Sequence, residues 1–373
     1  MSGIYIHVPF CESRCIYCDF YSTTHTRSWQ ARYVDALIRE MQQRRNELAR
    51  VHTIYIGGGT PSLLDTALLL RIFQALRDKF QLDEVQEVTI EANPDDVTPQ
   101  WLDALRQTPV NRISMGVQTF ADETLRLLRR RHTAQQALQA VALCREYGYT
   151  NLSLDLIYGL PGQTLQAWQS DVDTLLQLRT PHISAYALSY EEGTVLTRML
   201  EEGIISEVDE DTQWQMYEYL MDATARAGME HYEISNFALP GFHSRHNSSY
   251  WDGTPYLGLG PGAHSYDGRS VRRANALSLE AYVEALTSDN ASKWEGTPEH
   301  LTAGDLYNEL VMTRLRTAAG LPLTLLSDKE RAHCLRQAKP YLQDGRLVLN
   351  AEVLRLHRSG IFTSNSIISD LMC

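Results

Sequence analysis

The feature that most constrains the fold is a regular alternation of short β-rich runs with longer segments of helical period through the first 230 residues. In the longer segments apolar residues recur every three or four positions, as Tyr33, Leu37 and Met41 do. Strands and helices that alternate in this way form a parallel sheet with right-handed crossovers. The pattern predicts an α/β fold, a full or partial (β/α) barrel with strands at 3–8, 52–57, 86–92, 111–117, 150–157 and 182–189.

Chemically unusual residues follow the carboxyl ends of five successive predicted strands. A cysteine-rich loop follows the first strand, Gly57-Gly58-Gly59-Thr60-Pro61 follows the second, and Glu91-Ala92-Asn93-Pro94 ends the third. Gln118 ends the fourth strand and Asp155 lies near the end of the fifth. Because the βα loops of a parallel barrel converge at one rim, we expect these groups to form one site.

Charge and hydropathy narrow the classes of partner. The 34 Lys and Arg residues against 46 Asp and Glu residues give a net charge of −12, which disfavours a bulk electrostatic grip on nucleic acid or anionic lipid. The N-terminus lacks the basic and apolar regions of a signal peptide, and no 18-residue uncharged apolar run occurs. We therefore expect a cytoplasmic protein without a transmembrane segment, in which structural disulfides are rare.

The pattern changes twice along the chain, and three regions follow from it. The β/α alternation predicts a barrel over residues 1–235. Residues 236–300 begin with a stretch rich in Gly, Pro, His and aromatic residues, which predicts an ordered but irregular segment packed on the barrel. The helical period returns at 301, and a turn at Asp344-Gly345 before Leu347-Val348-Leu349 predicts a small winged-helix-like module over 301–373.

Three of the six cysteines, Cys11, Cys15 and Cys18, lie within eight residues. In a cytosolic chain such a cluster indicates a metal site rather than a disulfide. Thiolates at C-x-x-x-C-x-x-C spacing can bind three irons of a cubane cluster and leave the fourth iron without a protein thiolate. The alternative is a closed tetrahedral zinc site completed by His7. The scattered cysteines are expected to be packing residues.

The chain resembles the radical S-adenosylmethionine (SAM) superfamily in four motifs, YIHVPFCESRCIYCDF, GGGTPS, SMGVQTF and DLIYGLPGQT, which run from Tyr5 to Gln163. Within it they are similar to the branch that contains the oxygen-independent coproporphyrinogen dehydrogenases and the HemW heme chaperones. The resemblance implies a partial (β/α)6 radical-SAM barrel. It also implies a [4Fe–4S] cluster whose open iron is chelated by the amino and carboxylate groups of SAM.

Carried over motif by motif, the resemblance implies a set of SAM-binding residues. The glycines let the backbone approach the ligand closely. The two carboxylates suit ribose hydroxyls or the ammonium group, and the arginine suits the SAM carboxylate. Taken singly, such glycines more often form a tight turn without a ligand, and such carboxylates are more often solvated. Only their occurrence together at one rim of the barrel favours a SAM site. The set is Tyr5, Gly58, Gly59, Thr60, Glu91, Gln118, Arg130 and Asp155.

Two departures distinguish the chaperone pattern from the dehydrogenase pattern. The dehydrogenases carry a fourth cysteine two residues after the third, where this chain has Phe20. The dehydrogenases also carry a long segment ahead of the first strand, whereas the first strand of this chain is predicted to begin by residue 3. The resemblance therefore implies a radical-SAM-type heme chaperone, with coproporphyrinogen III dehydrogenase activity as the alternative.

The segment His246-Asn247-Ser248-Ser249-Tyr250-Trp251 matches the H-N-x-x-Y-W motif of the heme chaperones, which implies heme ligation by His246. An aromatic turn that seals the barrel edge is the alternative reading, and His243 and His264 are rival ligands. The implied partners are heme and an acceptor hemoprotein. Peripheral membrane contact through a heme-requiring partner and a homodimer are both compatible with the sequence.

Overall fold

A computed structural model describes residues 2–24, 27–288 and 294–373 of the chain. Two sheets are present in this part of the chain. The large sheet contains β1 (Gly3–Val8), β2 (Thr53–Gly58), β3 (Glu87–Ala92), β4 (Arg112–Gln118), β5 (Leu152–Tyr158), β6 (His182–Ala187), β7 (Glu230–Glu233), β8 (Asn236–Ala238), β9 (Tyr256–Leu259), β10 (His264–Tyr266), β11 (Val271–Ala274) and β12 (Glu299–His300). The small sheet contains β13 (Leu321–Pro322), β14 (Leu347–Asn350) and β15 (Val353–Leu356).

The large sheet has the strand order β12-β11-β10-β9-β1-β2-β3-β4-β5-β6-β8-β7. Strands β1 to β6 pair in parallel with their neighbours. The sheet continues beyond β1 into β9 and beyond β6 into β8, so it forms an open, partial (β/α)6 barrel. This confirms the predicted fold class. The ends of each predicted strand lie within two residues of the ends of the observed strand.

Helices connect the parallel strands and cover the outside of the barrel. Several of these helices begin at a residue whose side chain accepts a hydrogen bond from a free backbone N–H group of the first turn. Asp65 accepts from Ala67 N at 2.9 Å, and Thr133 forms a capping box with Gln136. The described helices are α1 (Arg27–Arg44), α2 (Thr66–Lys79), α3 (Pro99–Leu105), α4 (Asp122–Leu127), α5 (Ala134–Glu146), α6 (Leu165–Gln177), α7 (Val195–Glu201), α8 (Glu210–Arg226), α9 (Arg245–Asp252), α10 (Leu279–Thr287), α11 (Ala303–Leu315), α12 (Asp328–Gln343), α13 (Arg358–Ile361) and α14 (Ser364–Leu371).

Along the six parallel strands, apolar side chains alternate with mostly polar ones. Apolar positions such as Ile54, Ile90 and Leu154 are fully buried in the main hydrophobic core, which includes side chains of the outer helices. Most of the alternate positions are polar and face the interior, as Glu91 and Asp155 do, with Ile157 as an apolar exception. Parallel strands that are covered on both sides usually read as continuous apolar runs. The polar interior therefore marks a barrel built to hold polar ligands.

Residues 236–300, predicted as an ordered but irregular segment, also contribute regular elements to the barrel sheet. Strand β9 pairs in parallel with β1, and β10 to β12 extend the sheet by antiparallel pairing. Helix α9 packs against β2 at the amino-terminal end of the barrel. Strands of two to four residues interrupted by glycine carry too short a hydrophobic period to be recognised in sequence.

One buried carboxylate joins this segment to the barrel. Glu40 of α1 is inaccessible to solvent and accepts hydrogen bonds from Gly260 N and Asn275 Nδ2, both at 2.8 Å, and from the Tyr282 hydroxyl. Arg44, one turn further along α1, lies 3.3 Å from the same carboxylate. Glu40 thereby connects α1, the β9–β10 turn, the end of β11 and helix α10.

The C-terminal residues form a second hydrophobic core around α11, α12, α14 and the small antiparallel sheet. The predicted turn at Asp344-Gly345 lies between α12 and β14. The chain between α11 and β13 also covers the outer edge of β7, since Ala318 N donates to Tyr232 O and Ile234 N donates to Arg316 O, both at 3.0 Å. Among the described residues, no helix is long and apolar enough to cross a membrane.

We predict that Glu40→Ala will strongly destabilise the fold, because it leaves the Tyr282, Asn275 and Gly260 donors and Arg44 without their buried acceptor. The expected loss in the free energy of unfolding is about 3–5 kcal/mol, measured by urea denaturation. Asp35→Ala is the matched control on the same helix. Asp35 pairs with Arg71 at the surface, so its loss should cost less than about 1 kcal/mol. Equal effects of the two substitutions would contradict the role of Glu40.

Candidate functional site

A cavity of about 480 Å³ opens at the carboxyl ends of the parallel strands. It is bordered by the cysteine loop, the turn after β2 and inward-facing residues of β2 to β6. Most of the predicted site residues line it, namely Cys11, Cys15, Cys18, Gly58, Gly59, Thr60, Glu91, Gln118, Arg130 and Asp155. Tyr5 and His246 do not line it in this structure.

Backbone hydrogen bonds close the cysteine loop at its base, and ion pairs join it to a neighbouring loop. Thr23 N donates to Pro9 O at 2.7 Å, and Cys11 N donates to Thr23 O at 2.9 Å. Glu12 pairs with Arg131, whose guanidinium also lies 2.7 Å from Asp96 in the loop after β3. The loop is therefore held against the β3 loop independently of its thiols.

The three thiols border one cavity instead of converging on a point. No three His, Cys, Asp or Glu side chains among the described residues are placed to hold a single metal ion. Both nitrogens of His7 are engaged, with the Tyr5 hydroxyl at 3.0 Å and Tyr21 O at 2.9 Å, so His7 offers no free nitrogen to zinc. A cubane cluster binds each thiolate through a different iron. This arrangement fits a [4Fe–4S] cluster held by Cys11, Cys15 and Cys18 better than zinc.

The thiols lie among groups that affect their charge. Thr60 Oγ1 lies 3.6 Å from Cys11 Sγ, and Arg130 Nη1 lies 3.5 Å from Cys15 Sγ. Burial raises the pKa of the Cys11 thiol and raises that of Cys18 to about 11. Metal binding requires the thiolate form, so cluster insertion must release these protons.

The turn after β2 has little room for side chains. Gly58 has φ +113°, and a Cβ there would lie 2.7 Å from the His7 ring. A Cβ at Gly59 would lie 2.8 Å from Phe10 O. Close packing therefore requires Gly58 against His7 of β1 and Gly59 against the start of the cysteine loop, a structural reason that accompanies their place beside the cavity.

Two buried carboxyl groups lie on neighbouring parts of the cavity wall. Glu91 accepts from the Tyr55 hydroxyl at 2.7 Å and from Gly58 N at 3.1 Å. Burial raises the pKa of Glu91 to about 7 and that of Asp155 to about 6, although the Ser184 hydroxyl and Arg112 favour the ionised Asp155. Such carboxyl groups can accept hydrogen bonds from ribose hydroxyls or from an ammonium group.

Arg130 and Gln118 supply hydrogen-bond donors to the cavity wall, and Arg130 also supplies a positive charge. Arg130 donates from Nη2 to Asn93 Oδ1 at 2.7 Å and to Gly116 O, whereas its buried Nε has no hydrogen-bond partner among the described residues. Gln118 has φ +70° at a register shift between β4 and β5. A free arginine donor and a strained residue at a cavity wall are typical of ligand sites. Together with the carboxyl groups they fit the charged ends of SAM.

Tyr5 and His246 lie behind the cavity wall. Tyr5 bonds His7 and lies beside Tyr55, with ring centroids 6.2 Å apart. His246 is fully buried on α9, with Nδ1 2.9 Å from Thr53 Oγ1 and Nε2 3.0 Å from the Tyr250 hydroxyl. Its ring stacks on Tyr55 at 5.2 Å. In this conformation neither nitrogen of His246 is free to bind iron.

The rival histidines lie elsewhere. His243 is half-exposed, stacks on Tyr232 at 4.1 Å and bonds Glu230 at 2.7 Å. His264 is exposed on β10. Neither residue lines the cavity.

The sequence assigns no individual role to several residues that line the cavity, although Asn93 and Asn247 lie in motifs named above. These residues are Tyr55, Asn93, Arg112, Ser114, Ser184 and Asn247. Four of them occupy inward positions of β2, β4 and β6. The alternation of polar and apolar residues within each predicted strand was the signal that could have identified them.

The Radical SAM superfamily model matches residues 5–175, and the HemN C-terminal domain model matches residues 301–363. The chain is 41% identical to the heme chaperone HemW of Lactococcus lactis over 77% of this chain and 75% of that protein. It is 36% identical to the heme chaperone HemW of Mycobacterium tuberculosis over 99% and 94% of the two chains. A solved structure of the Escherichia coli coproporphyrinogen III oxidase HemN has the same fold, with a TM-score of 0.84 over 100% of this chain and 90% of that one at 24% identity. The chain therefore belongs to the HemW family of the radical SAM superfamily.

Proposed function

We propose that the protein is a heme chaperone, which binds heme and transfers it to an acceptor hemoprotein, and that it carries a [4Fe–4S] cluster and SAM. The names of its relatives and the residues of the cavity support this proposal. Cys11, Cys15 and Cys18 would hold the cluster. When bound, the cluster supplies the electron that reduces the SAM sulfonium.

One observation carries the heme part of the proposal. Helix α9, with its His-Asn-x-x-Tyr-Trp segment, closes the amino-terminal end of the barrel whose other end holds the three thiols. Glu87 of β3 fixes this helix by accepting from Arg245 N and His246 N, both at 2.9 Å. A carboxylate at a helix N-terminus is favourable. The segment therefore borders, through Asn247, the same barrel interior as most of the proposed SAM residues, which supports the proposal.

His246 is suited to iron in its protonation state. Burial lowers its pKa to about 3, so the ring is neutral at physiological pH, the form that ligates metals. Its Nε2 is bonded to the Tyr250 hydroxyl, four residues further along the same helix. We therefore propose that heme ligation by His246 requires this hydroxyl to move away from Nε2.

The alternative function is oxidative decarboxylation of coproporphyrinogen III. The fold shared with the Escherichia coli enzyme is compatible with it. Phe20, however, is 65% exposed beside Cys18 and offers no thiol where the dehydrogenase pattern has one. Phe20 favours the chaperone.

The proposal also extends to location and assembly. We place the protein in the cytoplasm, with peripheral membrane contact made through a heme-requiring partner. A homodimer is part of the same hypothesis, and sedimentation of the purified protein with and without heme tests it.

We predict that Cys11→Ala, Cys15→Ala or Cys18→Ala will each abolish the iron–sulfur cluster. The anaerobically purified parent protein should contain iron and acid-labile sulfide in equal amounts. Cys144→Ala is a control, because Cys144 is buried in the outer hydrophobic core. Stoichiometric zinc without sulfide would contradict the proposed cluster.

We predict that Glu91→Gln will weaken SAM binding about tenfold in calorimetry without loss of iron. It should also change the pH dependence of stability. Because the pKa of Glu91 is raised above its usual 4.5, its protonated form stabilises the fold at low pH, and this contribution is lost as the pH rises through about 7. Relative to the parent, the thermal midpoint of the variant should therefore improve between about pH 5 and pH 8. The exposed Glu146→Gln is the control, and parallel pH profiles would contradict the prediction.

We predict opposite effects of His246→Leu and Tyr250→Phe on heme binding, measured by the Soret band. Leucine removes the axial ligand, so the band should shift or bleach. Phenylalanine frees Nε2 of His246, so heme should bind more tightly. His243→Ala is the control, and a larger effect there would reassign the ligand. Robust formation of protoporphyrinogen from coproporphyrinogen III, SAM and reductant would overturn the chaperone proposal.

A further inference from the structure

The barrel interior contains a buried arginine that the proposed SAM and cluster contacts do not use. Arg112 is the first residue of β4, is 1% exposed and borders the cavity. Its Nε and Nη2 are both buried, and neither has a hydrogen-bond partner among the described residues. These two N–H groups lie on the same side of the guanidinium and form the fork that binds a carboxylate with two parallel hydrogen bonds.

An arginine is rarely buried without an acceptor, because the loss of hydration is not compensated. The acidic residues on the cavity wall are Glu91 and Asp155. Glu91 is bonded to Tyr55 and Gly58, and Asp155 lies within 3.5 Å of the Ser114 and Ser153 hydroxyls. Arg112 favours the ionised form of Asp155 only through space. Within the part of the chain that the structure describes, the fork of Arg112 is therefore buried without an acceptor.

A second donor from the heme motif borders the same cavity. Asn247 follows His246 on α9, and it lines the cavity whereas His246 packs behind Tyr55 and Thr53. The backbone N–H of Asn247 bonds Ser244 Oγ in the first turn of α9. Ser184 of β6 adds a hydroxyl to this part of the wall. The Ser184 hydroxyl is itself engaged with Asp155. Arg112 and Asn247, here called the interior donor set, can both donate hydrogen bonds to an anionic oxygen.

We propose that the interior donor set binds a carboxylate group of a ligand, with Arg112 as a bidentate anchor and Asn247 as a second donor. The carboxylate belongs to SAM or to a heme propionate, and the propionate case rests on the proposed function. The motif thus contributes its asparagine directly to ligand recognition, separately from any role of its histidine.

The test compares Arg112→Met, Arg112→Lys and Asn247→Ala in the cluster-loaded protein. SAM binding is measured by calorimetry, and the Soret band reports the binding of heme and of heme dimethyl ester, which lacks free carboxylates. Arg112→Met should weaken the binding of the carboxylate-bearing ligand by at least about tenfold, and Asn247→Ala should weaken it by about two- to tenfold. Arg112→Lys keeps the positive charge but lacks the two parallel donors, so its loss of affinity should lie between the losses of the other two variants. Exposed Arg71→Met on α2 is the control.

The pattern of losses identifies the source of the carboxylate. A loss for heme but not for its ester indicates a propionate, and a loss for SAM indicates its amino-acid carboxylate. Unchanged binding of both ligands, or equal loss for heme and ester with unchanged SAM binding, would overturn the proposal. If the parent protein binds no heme, the proposed function fails while the SAM measurement still tests the anchor.

Thermal unfolding without SAM or heme gives a readout that is independent of binding. An arginine kept for a ligand costs stability when the ligand is absent, so Arg112→Met should raise the midpoint. An arginine with a purely structural role would give a lower midpoint, and this result would overturn the proposal. Asn247→Ala leaves Arg112 in place, so the binding measurements on this variant test the second donor without a change in buried charge.

Discussion

The burial of polar side chains inside a parallel barrel is the constraint on which the rest of this structure depends. Apolar side chains on the outer face of each strand pack under the helices and supply the driving force for folding. The inner face is left with carboxyl, hydroxyl, guanidinium and imidazole groups, each of which needs a partner. Pairs such as Glu91 with Tyr55 meet this need within the protein. Arg130 Nε and the fork of Arg112 have no such partner among the described residues, and we propose that ligands supply one.

Tyr55 links the two ends of this interior. Its hydroxyl donates to Glu91 beside the Gly58 turn, and its ring stacks on His246 of α9. His246 in turn bonds Tyr250, whose ring meets Tyr256 edge-on at 4.8 Å. The proposed SAM residues and the heme motif are thus connected through a continuous set of packed aromatic and polar groups.

The sequence predicts the central fold and most of the cavity because both rest on short-range patterns. Short runs in which apolar residues alternate with other residues locate the six strands, and the barrel topology brings their carboxyl ends together. What it does not predict is the direction of side chains on α9, where His246 and Tyr250 are one turn apart and bond each other while Asn247 borders the cavity. Arg112 was also missed, because an inward position on a strand distinguishes it only when the register of the sheet is known.

The open barrel leaves a sheet with two ends, and each end is blunted. One end is β12, which is only two residues long. The other is β7, whose outer backbone groups at Tyr232 and Ile234 are taken by Ala318 and Arg316 ahead of β13. Unpaired sheet edges recruit strands from other chains and promote aggregation. The C-terminal module therefore does more than pack on the barrel, because it covers a sheet edge of the kind that pairs with strands of other chains.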